Sequence, residues 1–212
     1  LEAILGAAGY KTGLYTSPHL LRYNERVRIA GMEAGDAELV AAFEKIDAVR
    51  GDTSLTYFEF GTLAAMAQFI DAGVEVAILE VGLGGRLDAV NVFDAEAAIV
   101  TSVDLDHMEY LGDTREKIGF EKAGIFRAGR PAICADPTPP ASLIQHARSI
   151  GADLRCVERD FSAQREGNGW RFLGRAAIWS SLPLPAMVGA YQLRNAAAAL
   201  AALESVQIRL PV

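Results

Sequence analysis

At 212 residues, 51% hydrophobic and 22% charged, the chain has the composition of a globular α/β domain of generous size, long enough to bury a substantial core. A net charge of −7 disfavours non-specific nucleic-acid binding, because few cations stand ready to displace counterions from a phosphate backbone, yet it leaves room for a phosphate-bearing small molecule. Cys134 and Cys156 have no His or second Cys nearby in sequence, which argues against a disulfide framework or a zinc site, and no apolar run reaches membrane-spanning length.

In chain order, "LEAILGAAGY" reads as the second half of a helix closing on Gly9, so further chain is expected upstream of Leu1. "GLYT" is a short buried strand running into the loop "SPHLLRYNE", and "RVRI" is a second strand. Asp36 to Arg50 forms an amphipathic helix opened by an N-capping Asp. "TYFEFGTLAAMAQFIDAG" begins extended and becomes an apolar helix ending at Gly73. "VEVAILEV", "AEAAIVTS" and "GRPAICA" are buried strands, with "TREKIGFEKAGIF" and "PPASLIQHARSIG" as helices between or after them. Strands alternating with helices in this way predict a mostly parallel sheet flanked by helices. After Gly151 the runs shorten and alternate, and Asn168–Gly169 predicts a hairpin turn. "AYQLRNAAAALAALESV" closes the chain as an Ala-rich helix.

The stretch "AILEVGLGGRLDAVN" looks like a phosphate cradle but lacks what one requires. A P-loop needs Gly-Lys-Ser/Thr, and none of Lys11, Lys45, Lys117 and Lys122 follows a glycine. The dinucleotide fingerprint fails as well, since Leu87 stands where its third Gly belongs. "GLGG" therefore reads as a tight turn where backbone passes close to backbone. Glu80 remains, ending an apolar strand at the carboxyl edge where α/β sheets bind ligands; a salt bridge and a metal site are equally good partners for it. Asp104, Asp106 and His107 follow the next strand at the same kind of edge. Asp113 and Glu116 have capping-box spacing, and Lys122 shares a helix face with Ile118 and Phe126. Periodicity favours a lysine that snorkels along the core; the alternative is a desolvated amine whose neutral form reacts with carbon dioxide to give an anionic carbamate.

"TSPHL", "TYFEFGT", "EVGLGGRLDA", "DHMEYLG" and "EKAGIF" occur in order from Tyr15 to Phe126. With these motifs the sequence resembles the dihydrofolate synthase/folylpolyglutamate synthase family of Mur-type ATP-dependent amide ligases, and the likeness continues more weakly into "YQLRNAAAALAAL". The resemblance implies an ATP-dependent ligase that joins L-glutamate to dihydropteroate or folylpolyglutamate through an acyl phosphate, with two Mg²⁺ ions and ATP. It further implies one P-loop NTPase-like central domain over residues 1–212, incomplete at its N-terminus, with a β-hairpin subregion at 152–186; the phosphate loop would lie upstream of Leu1 and the glutamate-binding C-terminal domain beyond Val212. Ser17 and Glu80 match the ligands of one metal ion, and His107 and a carbamylated Lys122 those of the other. Mg²⁺ suits the oxygen donors; His107 is the awkward member, since imidazole prefers softer metals, and the alternative for it and Asp106 is a hydrogen-bonding role. Thr56, Tyr57, Phe58, Glu59, Leu87, Asp88 and Ala89 match contacts to the pterin substrate, core packing being the alternative for Phe58. Asn195 matches an adenine contact; Arg86 fits either a structural or a substrate-binding cation. On this reading the protein is cytoplasmic and monomeric, takes small-molecule substrates, and has neither a nucleic-acid nor a membrane partner. Other readings are a Mur-type ligase acting on a cell-wall precursor and an inactive folate- or nucleotide-binding remnant.

Overall fold

The computed structural model describes residues 1–187, 189, 191–207 and 210. It is a mixed α/β fold in which parallel strands are flanked by helices, and it divides into two compact units. The first holds Leu1–Leu83 and Asp88–Phe93; the second holds Gly84–Leu87 and the chain from Asp94 onward. No helix among the described residues is long and apolar enough to cross a membrane.

In the first unit, α1 (Glu2–Ala7) ends before Gly9, whose φ of 92° turns the chain into β1 (Thr12–Tyr15). β2 (Val27–Ile29) and β3 (Met32–Glu33) follow antiparallel, then α2 (Asp36–Arg50), α3 (Tyr57–Asp71) and β4 (Val76–Leu79), which returns parallel to β1. The sheet order is β3-β2-β1-β4. Helix α3 lies close enough on β1 that a Cβ at Gly13 would stand 2.7 Å from the Phe69 ring, so only glycine fits there. Tyr15, Val27, Leu39, Ala65 and Phe69 form the core.

In the first unit two helix starts differ from the sequence expectation. The N-cap of α2 is Gly35, and Asp36 is instead its first residue, its carboxylate accepting from Asn24 Nδ2 at 2.8 Å. The "TYFEF" segment is helical from Tyr57 because Thr56 and Glu59 close a capping box.

In the second unit, β5 (Ala98–Val100) leads through a short α4 (Met108–Leu111) to α5 (Arg115–Ala123), β6 (Pro131–Cys134), α6 (Ala141–Ser149) and β7 (Asp153–Cys156). These strands pair in parallel, in the order β5-β6-β7. Ala132 and Cys134 face a core shared with Ile118, Leu143 and Ala147, while Ile133 between them faces Phe172 and the alanines of the last helix, the alternation of a strand buried on both sides. β8 (Ser162–Glu166), β9 (Gly169–Leu173) and β10 (Ile178–Pro183) form an antiparallel sheet, and α7 (Gln192–Val206) completes the unit. At the start of the 152–186 region, Asp153–Cys156 thus joins the parallel sheet, and antiparallel pairing begins at Ser162. The hairpin turn sits one residue earlier than Asn168–Gly169: Gly169 is already paired with Glu166, and Gly167 takes the left-handed φ of 56°.

The β9–β10 connection is held by a buried carboxylate. Glu204 of α7 accepts the backbone N–H groups of Arg175 (3.2 Å), Ala176 (2.9 Å) and Ala177 (2.8 Å), with the Arg155 guanidinium 3.6 Å away. Glu204→Ala would strand those donors, so we expect a loss of about 3 kcal/mol of unfolding free energy by denaturant titration. Nearby, burial alone would raise the Asp160 carboxyl, but the Cys156 N–H and the Arg159 and Arg175 guanidinium groups outweigh it and hold it below the usual carboxylate range. A depressed folded-state value means that this stabilisation is complete above about pH 4 and is lost as pH falls through the folded-state value. Stability measured from pH 5 downward should accordingly fall less steeply in Asp160→Asn than in the unaltered chain.

Candidate active site

Because β1 and β4 pair in parallel with Tyr15 opposite Leu79, both strands end at the same level. Glu80 lies one residue beyond β4 and Ser17 two beyond β1. The Glu80 N–H donates to the Tyr15 carbonyl (2.9 Å), and the Ser17 N–H donates to Glu80 Oε2 (2.9 Å). The Glu80 side chain is exposed, so the anticipated cost of burying a lone carboxylate does not arise; water solvates it instead. Among the described residues, neither Glu80 Oε1 nor the Ser17 hydroxyl has a protein hydrogen-bond partner. The loop after Ser17 is fixed by Glu25, whose carboxylate accepts the N–H groups of Leu20, Leu21 and Arg22 at 2.7–2.8 Å and is thereby held below its ordinary titration range.

The glycine run is a close backbone approach, as the absence of a lysine led us to expect. A Cβ at Gly85 would meet the Glu121 carbonyl at 2.8 Å and that of Lys122 at 3.1 Å, and the Arg86 N–H donates to the Glu121 carbonyl (2.8 Å). Arg86 also pairs with the Glu121 carboxylate (3.0 Å), which gives this cation a structural partner. Asp88 closes the other end of the turn: its Oδ2 accepts from the N–H groups of Gly82 (3.0 Å) and Leu83 (2.9 Å), and its Oδ1 from that of Val90 (3.0 Å).

In the second unit, Asp104, Asp106 and His107 occupy an exposed loop beyond β5. Asp106 accepts the His107 backbone N–H (2.8 Å) and stands 3.6 Å from His107 Nε2, close to the imidazole without a hydrogen bond to it. His107 has a φ of 48°, a conformation that is uncommon outside glycine and concentrates at functional sites. Lys122 is half-buried in α5 above Ile118. Burial pushes its ammonium below the ordinary lysine range, while the Asp106 carboxylate pulls it back up. No hydrogen bond or ion pair to its Nζ occurs among the described residues. The helix start differs from the capping box expected at Asp113 and Glu116. Thr114 is the N-cap and accepts the Lys117 N–H; Asp113 pairs with Lys117 (2.9 Å), and Glu116 caps α6 through the Ala141 and Ser142 N–H groups.

The remaining candidates are spread out. Thr56 Oγ1 and the Glu59 carboxylate are engaged with each other's backbone N–H. The half-buried Phe58 ring packs 5.7 Å from that of Tyr15 and lies against Gly82. Tyr57 (63% exposed) and Leu87 (80% exposed) are open to solvent. Ala89 begins a single 3₁₀ turn, and Asn195 sits half-buried in the first turn of α7. The structure thus brings together Ser17 with Glu80, Asp106 with His107 and Lys122, and Thr56 with Glu59. Among the described residues no three His, Cys, Asp or Glu side chains form a ready-made metal cage. The sequence reading passed over Asp136 and Arg115, although Asp136 carries the same signal as Glu80, an acid just beyond an apolar strand.

Comparison with known proteins bears on this arrangement. The chain is 50% identical over 207 residues to the dihydrofolate synthase/folylpolyglutamate synthase of Escherichia coli K12, covering 97% of this chain and 48% of that protein. Escherichia coli FolC in complex with DHPP and ADP superposes with a TM-score of 0.94 at 47% identity, over 99% of this chain and 50% of that one. The bifunctional folylpolyglutamate synthase/dihydrofolate synthase of Yersinia pestis, complexed with AMPPNP and Mn, gives 0.92 at 49% identity over the same shares. The chain spans about half the length of the curated relatives it matches. The family model for the Mur ligase middle domain matches residues 32–203, and the chain belongs to that family.

Proposed function

We propose that this chain is the central part of an ATP-dependent ligase that joins L-glutamate to dihydropteroate, to folylpolyglutamate, or to both. The observation that carries the reading is the pairing of Ser17 with Glu80 at the common carboxyl edge of β1 and β4, where one carboxylate oxygen and one hydroxyl are left for a ligand. The names of the relatives supply the reaction, and the Mn and AMPPNP bound by the Yersinia pestis protein supply the class of co-substrate.

The donor chemistry fits magnesium. Glu80 and Ser17 offer hard oxygens, and they would hold one ion. Lys122 fits once it is an anion: its neutral Nζ would attack the carbon of CO₂, forming the N–C bond as one C=O π pair moves to oxygen and a proton leaves nitrogen, and the resulting carbamate and His107 would hold a second ion. When bound, the metal neutralises charge on the ATP phosphates. In the reaction, a substrate carboxylate oxygen attacks the γ-phosphorus and the bond to ADP breaks. The glutamate amine then attacks the acyl carbon, phosphate departs with the carbon–oxygen bond's electrons, and the amine proton is released. Phosphoryl transfer of this kind rests on position and charge, which agrees with a site built from metal-binding groups without a nucleophilic side chain. Tyr57, Phe58, Leu87 and Ala89 would meet the pterin, Thr56, Glu59 and Asp88 would support those contacts through the backbone bonds they make, and Asn195 would meet adenine. On this reading the enzyme is a cytoplasmic monomer.

Two variants test the reading, in a ligase of the relatives' length that carries this segment. Lys122→Ala should lose turnover, at least about a hundredfold if a first ligand sphere is broken, and regain part of it in acetate, which can occupy the vacated anionic position; full activity without rescue would refute the carbamate. Glu80→Gln should raise the Mg²⁺ concentration needed for half-maximal rate by about tenfold or more. Incorporation of labelled glutamate into dihydropteroate rather than a muramoyl compound separates this function from that of a cell-wall ligase.

A further inference from the structure

Val103 is the last buried residue before the loop that bears Asp104, Asp106 and His107, and both of its backbone polar groups are held by one ion pair. Its N–H donates to Asp136 Oδ2 (2.8 Å), and its carbonyl accepts from Arg115 Nε (2.9 Å). Arg115 Nη2 meanwhile donates to Asp136 Oδ2 (2.9 Å) and to the Thr138 carbonyl (3.0 Å). Asp136, two residues past β6, is 3% exposed, and its other oxygen accepts the Thr138 N–H (2.9 Å). Burial alone would raise its carboxyl, but the Val103 and Thr138 N–H groups and Arg115 more than offset this and keep it charged.

Three separate pieces of chain meet at this pair: the end of β6, the base of the His107 loop and the first residue of α5. Arg115 lies seven residues before Lys122, two helical turns, so the two share one face of α5. A planar guanidinium that bonds Val103 and Asp136 at once fixes α5 about its own axis as well as along it. The loop beyond Val103 has few such anchors, being exposed from Asp104 to Tyr110 with His107 left-handed.

We propose that the Asp136–Arg115 pair is the positioning element of the second metal half-site, setting the His107 loop against the helix face that carries Lys122. Its functional meaning rests on the ligase reading above. Asp136→Asn removes the charge and keeps one acceptor; Arg115→Lys keeps the charge but cannot span Val103 and Asp136 together. The test is amide hydrogen exchange of the chain by mass spectrometry, together with titration by Mn²⁺ alone. In both variants, exchange in the peptide spanning residues 103–112 should rise about tenfold while peptides from β8, β9 and α7 are unchanged, and Mn²⁺ affinity should fall about tenfold. Unchanged exchange in that peptide would overturn the proposal. So would a uniform rise across the second unit with Mn²⁺ affinity intact, which is what an ordinary loss of core stability produces. Should the unaltered chain bind no Mn²⁺ while the loop loosens as expected, the metal half-site on this chain fails and the pair stands as the anchor of the loop.

Discussion

Parallel pairing of β1 with β4 is the constraint on which the candidate chemistry depends. Parallel strands end on the same side of a sheet, so whatever follows each strand emerges at one edge; an antiparallel pair would have put Ser17 and Glu80 at opposite ends. The 2.9 Å bond from the Ser17 N–H to Glu80 Oε2 then engages one carboxylate oxygen and leaves the other, with the hydroxyl, without a hydrogen-bond partner among the described residues. The same rule in the second unit puts Asp106 and His107 past β5 and Asp136 past β6, again on neighbouring parallel strands.

Several acids of this protein are committed to its own backbone. Glu25, Glu59, Asp88, Glu116, Asp136 and Glu204 each accept main-chain N–H groups of loops or helix starts. A carboxylate meets several such donors at once, which is how irregular segments can be fixed without a large core beneath them. That use of charge sorts the candidates. Thr56, Glu59 and Asp88 hold the geometry of their loops, whereas Glu80 accepts a single backbone N–H and its Oε1 has no hydrogen-bond partner among the described residues.

Much of the fold was legible because it is periodic. The strands from "GLYT" to "GRPAICA" and helix α2 fall where their patterns put them, and the glycine run behaves as its missing lysine implied. Details set by a single hydrogen bond were not legible. Whether Asp36 or Gly35 caps α2 depends on Asn24, twelve residues away; Glu116 caps the next helix and not its own because Ser142 folds against it. The strand Asp153–Cys156 is short enough that alternation alone could not separate a parallel from an antiparallel partner. For the site, residue types at strand ends pointed to Glu80, His107 and Lys122, but the ion pair that holds the loop was missed because its partners are 21 residues apart.

The division of the polypeptide between the two compact units has a consequence for anyone wishing to separate them. The backbone leaves the first unit after Leu83, returns at Asp88 and leaves again after Phe93. Three crossings within so short a span make the halves interleaved, and no lone scission yields either one whole. Excising one half would need a redesigned splice around residues 84–93, with Asp88 kept beside the turn it closes.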